Sequence, residues 1–283
     1  MEVSHALDRI FDRQIDRQRE EAKTNGDYYK DGILFCHKCN TPKEYWYEYE
    51  DGEKRLRPIM CDCEAKQHRE EQEREEADRR RIRVNGLRHR AFADSRMASW
   101  TFERNDSPDS KYTEIAKRYV DKFDEMFEKG KGLLLFGSVG TGKTFLAACI
   151  ANALIDKEHV CYMTNFSRIV NDIQEKFDGR QQYIDNLNRC ELLIIDDLAA
   201  ERDTEFMNEI VMHVIDSRYQ SGKPLIITTN LTGNDMRGSA DITKQRIYSR
   251  LFEMCFPVEV KGNDRRKEKM KAEYEEMASL LGL

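Results

Sequence analysis

The octapeptide Gly137-Ser138-Val139-Gly140-Thr141-Gly142-Lys143-Thr144 sets glycines, a lysine and a hydroxyl at the spacing G-x-x-x-x-G-K-[ST]. An apolar run, Leu133–Phe136, precedes it and an alanine-rich run, Phe145–Leu154, follows it, so the motif turns a strand into a helix. Such a turn lets successive backbone N–H groups converge on an anion that side chains would otherwise obstruct. The anion that fits is the polyphosphate of ATP. The positive end of the helix adds to the attraction, Lys143 reaches the β- and γ-phosphate oxygens, and the Thr144 hydroxyl takes a position on Mg²⁺. Residues 137–145, from Gly137 through Ser138, Val139, Gly140, Thr141, Gly142, Lys143 and Thr144 to Phe145, are the expected nucleotide contacts.

The run Leu192-Leu193-Ile194-Ile195-Asp196-Asp197 is a second apolar strand, and it ends in two carboxylates. Ligands of parallel α/β sheets bind beyond the carboxyl ends of the strands, so this pair is expected to face the same nucleotide. Asp196 would hold Mg²⁺, and Asp197 would orient or deprotonate the attacking water. A third strand, Leu225–Thr229, ends at Asn230, whose amide can hydrogen-bond the γ-phosphate or the lytic water. Arg246 and Arg250 stand four apart on one helical face, and one of them can enter a neighbouring subunit's nucleotide as an arginine finger. In the basic tail Lys261–Lys271, Arg265 or Arg266 can meet the nucleotide of its own subunit.

A second chemistry lies near the amino terminus. Cys36-His37-Lys38-Cys39 and Cys61-Asp62-Cys63 are two cysteine pairs joined by a segment rich in Tyr45, Trp46, Tyr47 and Tyr49. Four thiolates suit a closed tetrahedral Zn²⁺ site, which would hold together a segment too small to bury much apolar surface. His37 or His68 can replace one thiolate in this reading. The other four cysteines, Cys149, Cys161, Cys190 and Cys255, sit singly in apolar segments and read as small buried residues.

These groups need a frame, and the sequence supplies it. Residues 133–229 alternate strand and helix: strands at 133–136, Val160–Thr164, Leu192–Asp196 and Leu225–Thr229, with helices over 143–156, 166–189 and 204–220. That alternation predicts an α/β fold with a parallel sheet covered on both faces. Upstream, residues 1–25 read as an amphipathic helix, and Glu64–Arg83 reads as a solvated helix with Glu–Arg pairs at helical offsets. The expected division is therefore an amino-terminal helix and zinc domain over 1–68, a charged helical linker over 69–90 and an ATPase domain over 91–283. Although 35 % of residues are charged, the net charge is only −6, so any nucleic-acid surface must be local. No apolar run approaches a membrane span and no secretory leader is visible, so a soluble, cytoplasmic protein is expected.

With these motifs in view, residues from about Phe92 to Lys267 resemble the DnaC-like bacterial and phage replicative-helicase loaders, a branch of the AAA+ ATPases related to the IstB-like proteins. The blocks GLLLFGSVGTGKTFLAACIANALI, LLIIDDLAAERDTEF, IDSRYQSGKPLIITTNL and RIYSRLFEMCFPVEVKGNDRR carry the resemblance in order. It implies an AAA+ fold with a small helical lid, Asp196 and Asp197 as Walker B acids and Asn230 as sensor 1. It also implies an arginine finger at Arg250, with Arg246 as the alternative, and a sensor 2 arginine at Arg265 or Arg266. The implied partners are a hexameric replicative DNA helicase, single-stranded DNA and further copies of the chain joined through the ATP sites. Arg168, Lys176 and Arg180 are the implied DNA contacts. Two departures stand out: Asp-Asp replaces the Asp-Glu of most AAA+ enzymes, and Ala199 replaces a glycine common in the family, a change expected to matter little. Two other functions fit the same core, a transposition helper ATPase of the IstB-like type and a zinc adaptor switched by bound nucleotide.

Overall fold

A computed structural model of the chain describes residues 2–49, 52–107, 110–175, 179–199 and 204–281. The chain forms two compact units, 1–81 and 82–283. The boundary falls inside a long helix, where the sequence reading places a separate linker.

The first unit begins with helix α1 (Glu2–Asn25), followed by a short antiparallel ribbon of β1 (Tyr28–Lys30) and β2 (Ile33–Phe35). A hairpin of β3 (Glu44–Glu48) and β4 (Lys54–Pro58) follows, and then α2 (Asp62–Ala91). Among the described residues large buried side chains are few here, with Ile15 and Leu34 among them, so polar contacts carry much of the packing. Arg19 on α1 donates to buried Glu44 at 2.9 Å, and the Arg57 guanidinium lies 4.8 Å from the Phe11 ring centroid. Helix α2 extends beyond the expected 64–83 at both ends. Acids in its first turn and bases in its last complement its dipole, and ion pairs such as Glu75–Arg79 and Asp78–Arg81 lie on its solvated side.

The second unit continues with α3 (Lys111–Asp121) and α4 (Phe123–Glu128). Then come β5 (Gly132–Phe136), α5 (Lys143–Asp156), β6 (Cys161–Asn165), α6 (Phe166–Glu175), α7 (Arg180–Leu187) and β7 (Leu192–Leu198). The chain proceeds through α8 (Glu205–Ser221), β8 (Leu225–Thr229), α9 (Gly233–Arg237), α10 (Ile242–Met254), β9 (Cys255–Glu259) and α11 (Arg265–Leu281). Among the described residues the five strands β5 to β9 form one parallel sheet in the order β6-β7-β8-β5-β9. Strand β9, which the sequence reading does not separate from the helix before it, closes one edge.

The strands are apolar throughout because both faces of the sheet are covered. Leu133, Leu135, Leu192, Ile194 and Ile226 point toward α3 and α5, while their neighbours Leu134, Leu193, Ile195 and Ile227 point toward α6, α8 and α10. A buried arginine joins the layers at the entry end of the sheet. Arg218 on α8 donates to the carbonyls of Pro224 at 2.6 Å, Glu191 at 2.7 Å and Cys190 at 3.1 Å, fixing α8 against the starts of β7 and β8. The opposite end, where β5, β7 and β8 terminate, is left for chemistry.

Candidate functional site

The loop between β5 and α5 needs left-handed backbone, and glycine supplies it. Gly137 has φ 136° and Gly140 φ 79°. A Cβ on Gly137 would lie 2.5 Å from the Val260 carbonyl, and one on Gly140 would lie 1.9 Å from the Asp264 carboxylate. The chain leaving β9 therefore clasps the loop closely. Val260 N–H donates to Phe136 O at 2.7 Å and Arg265 N–H donates to Gly140 O at 3.1 Å.

Lys143 opens α5 and is buried, with its ammonium donating to Gly137 O at 2.9 Å, Ser138 O at 2.8 Å and Asn230 Oδ1 at 2.8 Å. Burial pushes this ammonium below the usual lysine range, and the carboxylates of Asp197 and Asp196 oppose that shift. The glycine loop and the end of β8 thus meet at one cation.

Between Ile195 and Leu198 the pairing of β7 with β8 slips by one residue, so Asp196 and Asp197 together face Thr228. Asp197 takes a left-handed backbone, φ 54°, a region that Asp tolerates better than most residues. Burial drives the Asp196 carboxyl above its usual range; the Thr228 hydroxyl pulls it down and the charge of Asp197 raises it further. A hydrogen bond between Asp196 and Thr144 also lowers it, which places the P-loop hydroxyl against the buried acid. Ala199, expected to matter little, sits at φ 68°, where a glycine would have no Cβ penalty. The alanine therefore holds a strained conformation two residues after Asp197.

These groups border a cavity of about 620 Å³ lined by the glycine loop, Lys143, Thr144, Phe145, Asp197, Asn230, Arg265 and Arg266. Its size lies within the range of small-ligand sites, and its oxygen-rich acidic side suits a hard cation. Sequence reading missed three more lining residues: Trp100, Asp106 and Ser107. The Trp100 and Phe145 rings are 5.8 Å apart, giving the cavity an aromatic end. Buried Asn105 holds the adjoining turn by donating to Thr113 at 2.6 Å and accepting from Ser107 N–H at 3.1 Å. The available signal was an isolated tryptophan in an irregular stretch, with nothing to mark its partner.

Arg250 lies apart from this lining, ion-paired with Asp216 and 3.4 Å from Met212 Sδ, both on α8. Arg246 is exposed. Arg168 donates to Ala93 O at 2.9 Å and Arg180 to Glu209 at 3.2 Å, so both have intramolecular partners, whereas Lys176 lies outside the described residues.

In the first unit the four Sγ atoms of Cys36, Cys39, Cys61 and Cys63 lie within 4.8 Å of one another. Cys36 and Cys63 are 3.5 Å apart, and Cys61 and Cys63 3.3 Å. Tetrahedral Zn–S bonds of about 2.3 Å separate the sulfurs by about 3.8 Å, so the cluster is close to the size that zinc requires. His37 turns instead to Asp27, 3.0 Å away, and His68 is exposed and outside the cluster. Asp27 also accepts from buried Lys43 at 3.0 Å, and Lys43 reaches Glu64 at 2.7 Å, which ties the two cysteine knuckles together.

A parallel α/β sheet with a glycine loop, lysine and acidic pair at its carboxyl end defines a nucleotide-binding protein of the P-loop class. Comparison with known families is more specific: residues 64–273 match the IstB-like ATP binding protein model, and the chain belongs to that family. It is 28 % identical over 182 residues to the replicative helicase loader DnaI of Bacillus subtilis, covering 59 % of this chain and 58 % of the relative. To the replicative helicase loader DnaC of Escherichia coli it is 25 % identical over 140 residues, 48 % of this chain and 55 % of that protein. The chain thus spans little more than half the length of these relatives. Among solved structures, the DnaC helicase loader superposes with a TM-score of 0.51 at 26 % identity, over 59 % of this chain and all of that one. The fold of DnaI superposes with a TM-score of 0.50 at 24 % identity, over 62 % of this chain and 96 % of that one. Among the described residues, no helix is long and apolar enough to cross a membrane.

Proposed function

We propose that this chain is an ATPase of the AAA+ class that binds a hexameric replicative DNA helicase and places it on single-stranded DNA in the cytoplasm. The observation that carries the reading is the convergence of Lys143, Asp197, Asn230 and Arg265 on one cavity, in a chain whose relatives are named helicase loaders. In this account the glycine loop and Lys143 hold the triphosphate of ATP, and Trp100 and Phe145 flank its base. Thr144 and Asp196 hold Mg²⁺, which when bound neutralises phosphate charge. Asp197 takes the proton of the attacking water, Asn230 senses the γ-phosphate, and Arg265 contacts the phosphates from the same subunit.

Arg250 acts as the finger toward a neighbouring subunit, and its ion pair with Asp216 is the resting contact that assembly exchanges for phosphate. Residues 1–68, closed by Zn²⁺ on four thiolates, grip the helicase. Residues 69–90 connect them to the ATPase domain of 91–283, in which the helices after β8 serve as the lid.

A second reading keeps the same ATP-binding core and changes the partner: a transposition helper that acts with a transposase. ATP turnover by the protein alone, with single-stranded DNA and with the helicase separates the two. A loader shows stimulation that is lost in Lys143→Ala and Arg250→Ala. Turnover indifferent to both partners, with transposase captured in pulldown, would select the helper.

A further inference from the structure

Trp100, whose ring forms the aromatic end of the cavity, is held at its backbone by one buried side chain. Asn152 on α5 is 1 % exposed, and its amide donates to Met97 O at 2.9 Å, Trp100 O at 2.9 Å and Ala148 O at 3.1 Å. From the other side, Arg88 on α2 donates Nε–H to Asn152 Oδ1 at 3.2 Å and pairs with Asp156. Three carbonyls on one side and a guanidinium on the other admit one orientation of the amide, with NH₂ toward Trp100 O and oxygen toward Arg88.

Phe145 and Asn152 stand seven residues apart on α5, close to two full turns, so both lie on one face of the helix. Helix α5 therefore meets Trp100 twice: the Phe145 ring lies 5.8 Å from the indole, and Asn152 binds the carbonyl. Farther back, Ala93 N–H donates to Met163 O at 3.0 Å, so the segment leading to Trp100 is fastened to β6 as well. The residues around Asn152 on α5, Cys149, Ile150, Ala151 and Leu154, are apolar and fully buried, so burial alone does not call for an amide here.

We propose that Asn152, backed by Arg88, is a positioning residue for base recognition: it fixes the Trp100 ring at the base end of the cavity without touching the nucleotide. The proposal rests on the reading of this cavity as an ATP site and deepens it.

The test is equilibrium binding of ATP and of inorganic tripolyphosphate to the full chain. Tripolyphosphate carries no ribose or base, so it reports the glycine loop alone and shows that a variant is folded. Asn152→Leu, of similar volume, should weaken ATP by up to about tenfold, the full contribution of the Trp100 ring, and leave tripolyphosphate unchanged. In Trp100→Ala the same substitution should cost less than about twofold, because the ring it positions is gone. Arg88→Met keeps the amide and removes its backing at a partly exposed position, so it carries the test should Asn152→Leu fail to fold. It should weaken ATP by roughly two- to threefold, again with tripolyphosphate unchanged. ATP affinity equal to wild type in both variants would overturn the proposal. So would a parallel loss of ATP and tripolyphosphate, or a full further loss in the Trp100→Ala background. A wild-type chain that binds neither ligand would overturn the ATP-site reading itself, and the proposal with it.

Discussion

Thr228 donates its hydroxyl to Asp196 Oδ1 at 2.5 Å, while Thr228 Oγ1 accepts the backbone N–H of Asp197 at 2.9 Å. One β8 side chain thereby fixes both acids that the bulge in β7 presents.

Replacing Thr228 with the near-isosteric valine removes that shared partner, takes one hydrogen bond from a buried carboxylate and leaves a backbone N–H unsatisfied. The expected cost is about 1–3 kcal/mol. For a unit of this size, each kcal/mol lowers the melting temperature by roughly 2–4 °C. Thermal unfolding of Thr228→Val reads the loss directly. ATP hydrolysis should fall further than ATP affinity, because the acids are displaced while the glycine loop is intact. A variant as stable and active as wild type would refute this role for Thr228.

The Asp196 carboxyl titrates above its ordinary value because it is buried. A carboxyl raised in the folded state binds a proton more tightly there than in the unfolded chain. Its contribution therefore favours folding in acid and is lost as pH rises through the raised value. Asp196→Asn keeps an acceptor for Thr228 without the charge, so it should melt higher than wild type at pH 7 in the absence of nucleotide and Mg²⁺. That advantage should shrink as the pH falls, and hydrolysis should be abolished. An advantage independent of pH would show that the charge is not its source.

Trp100 is one of two tryptophans in the chain, and only Trp100 borders the cavity. Adding ATP should change the fluorescence of the wild type and leave Trp100→Ala unresponsive. Removing the ring should weaken nucleotide binding about tenfold, the loss of an aromatic contact worth about 1–1.5 kcal/mol. Unchanged affinity would move the base to another wall of the cavity.

The cysteine cluster predicts one zinc per chain by elemental analysis, with loss of the metal in Cys61→Ser. Chelation should unfold the first unit, because few of its described apolar residues are buried, and should leave ATP binding by the second unit in place. Two resolved unfolding transitions, only one of them sensitive to chelator, are the expected signature. A chain that binds no zinc and keeps both transitions would remove the metal from the account.

The parts legible in the sequence were those in which residue type alone dictates the arrangement. The glycine loop, the apolar strands 133–136, 192–196 and 225–229, and the helix over 143–156 follow from spacing and burial on two faces. What escaped depends on cross-strand register. Thr228 is one of two threonines in a strand, and only the one-residue slip between β7 and β8 brings it opposite both acids. Strand β9 follows α10 without a turn signal, since Met254 and Cys255 continue the apolar pattern of the helix. Ala199 looked like a mild replacement for glycine because its left-handed backbone is invisible in composition. Arg250 matched a motif, but its partner Asp216 lies on α8, packed alongside α10 by tertiary contacts alone.

Deposition of the helicase on closed-circular single-stranded DNA is the decisive assay of loading, because a closed circle admits a preformed hexamer only if its ring is opened. Purified helicase, this protein and ATP should yield helicase retained on the circle through a high-salt wash, far above helicase alone, and Lys143→Ala should return it to that background. Equal retention with wild type, with Lys143→Ala and with no added protein would contradict the assignment as a loader.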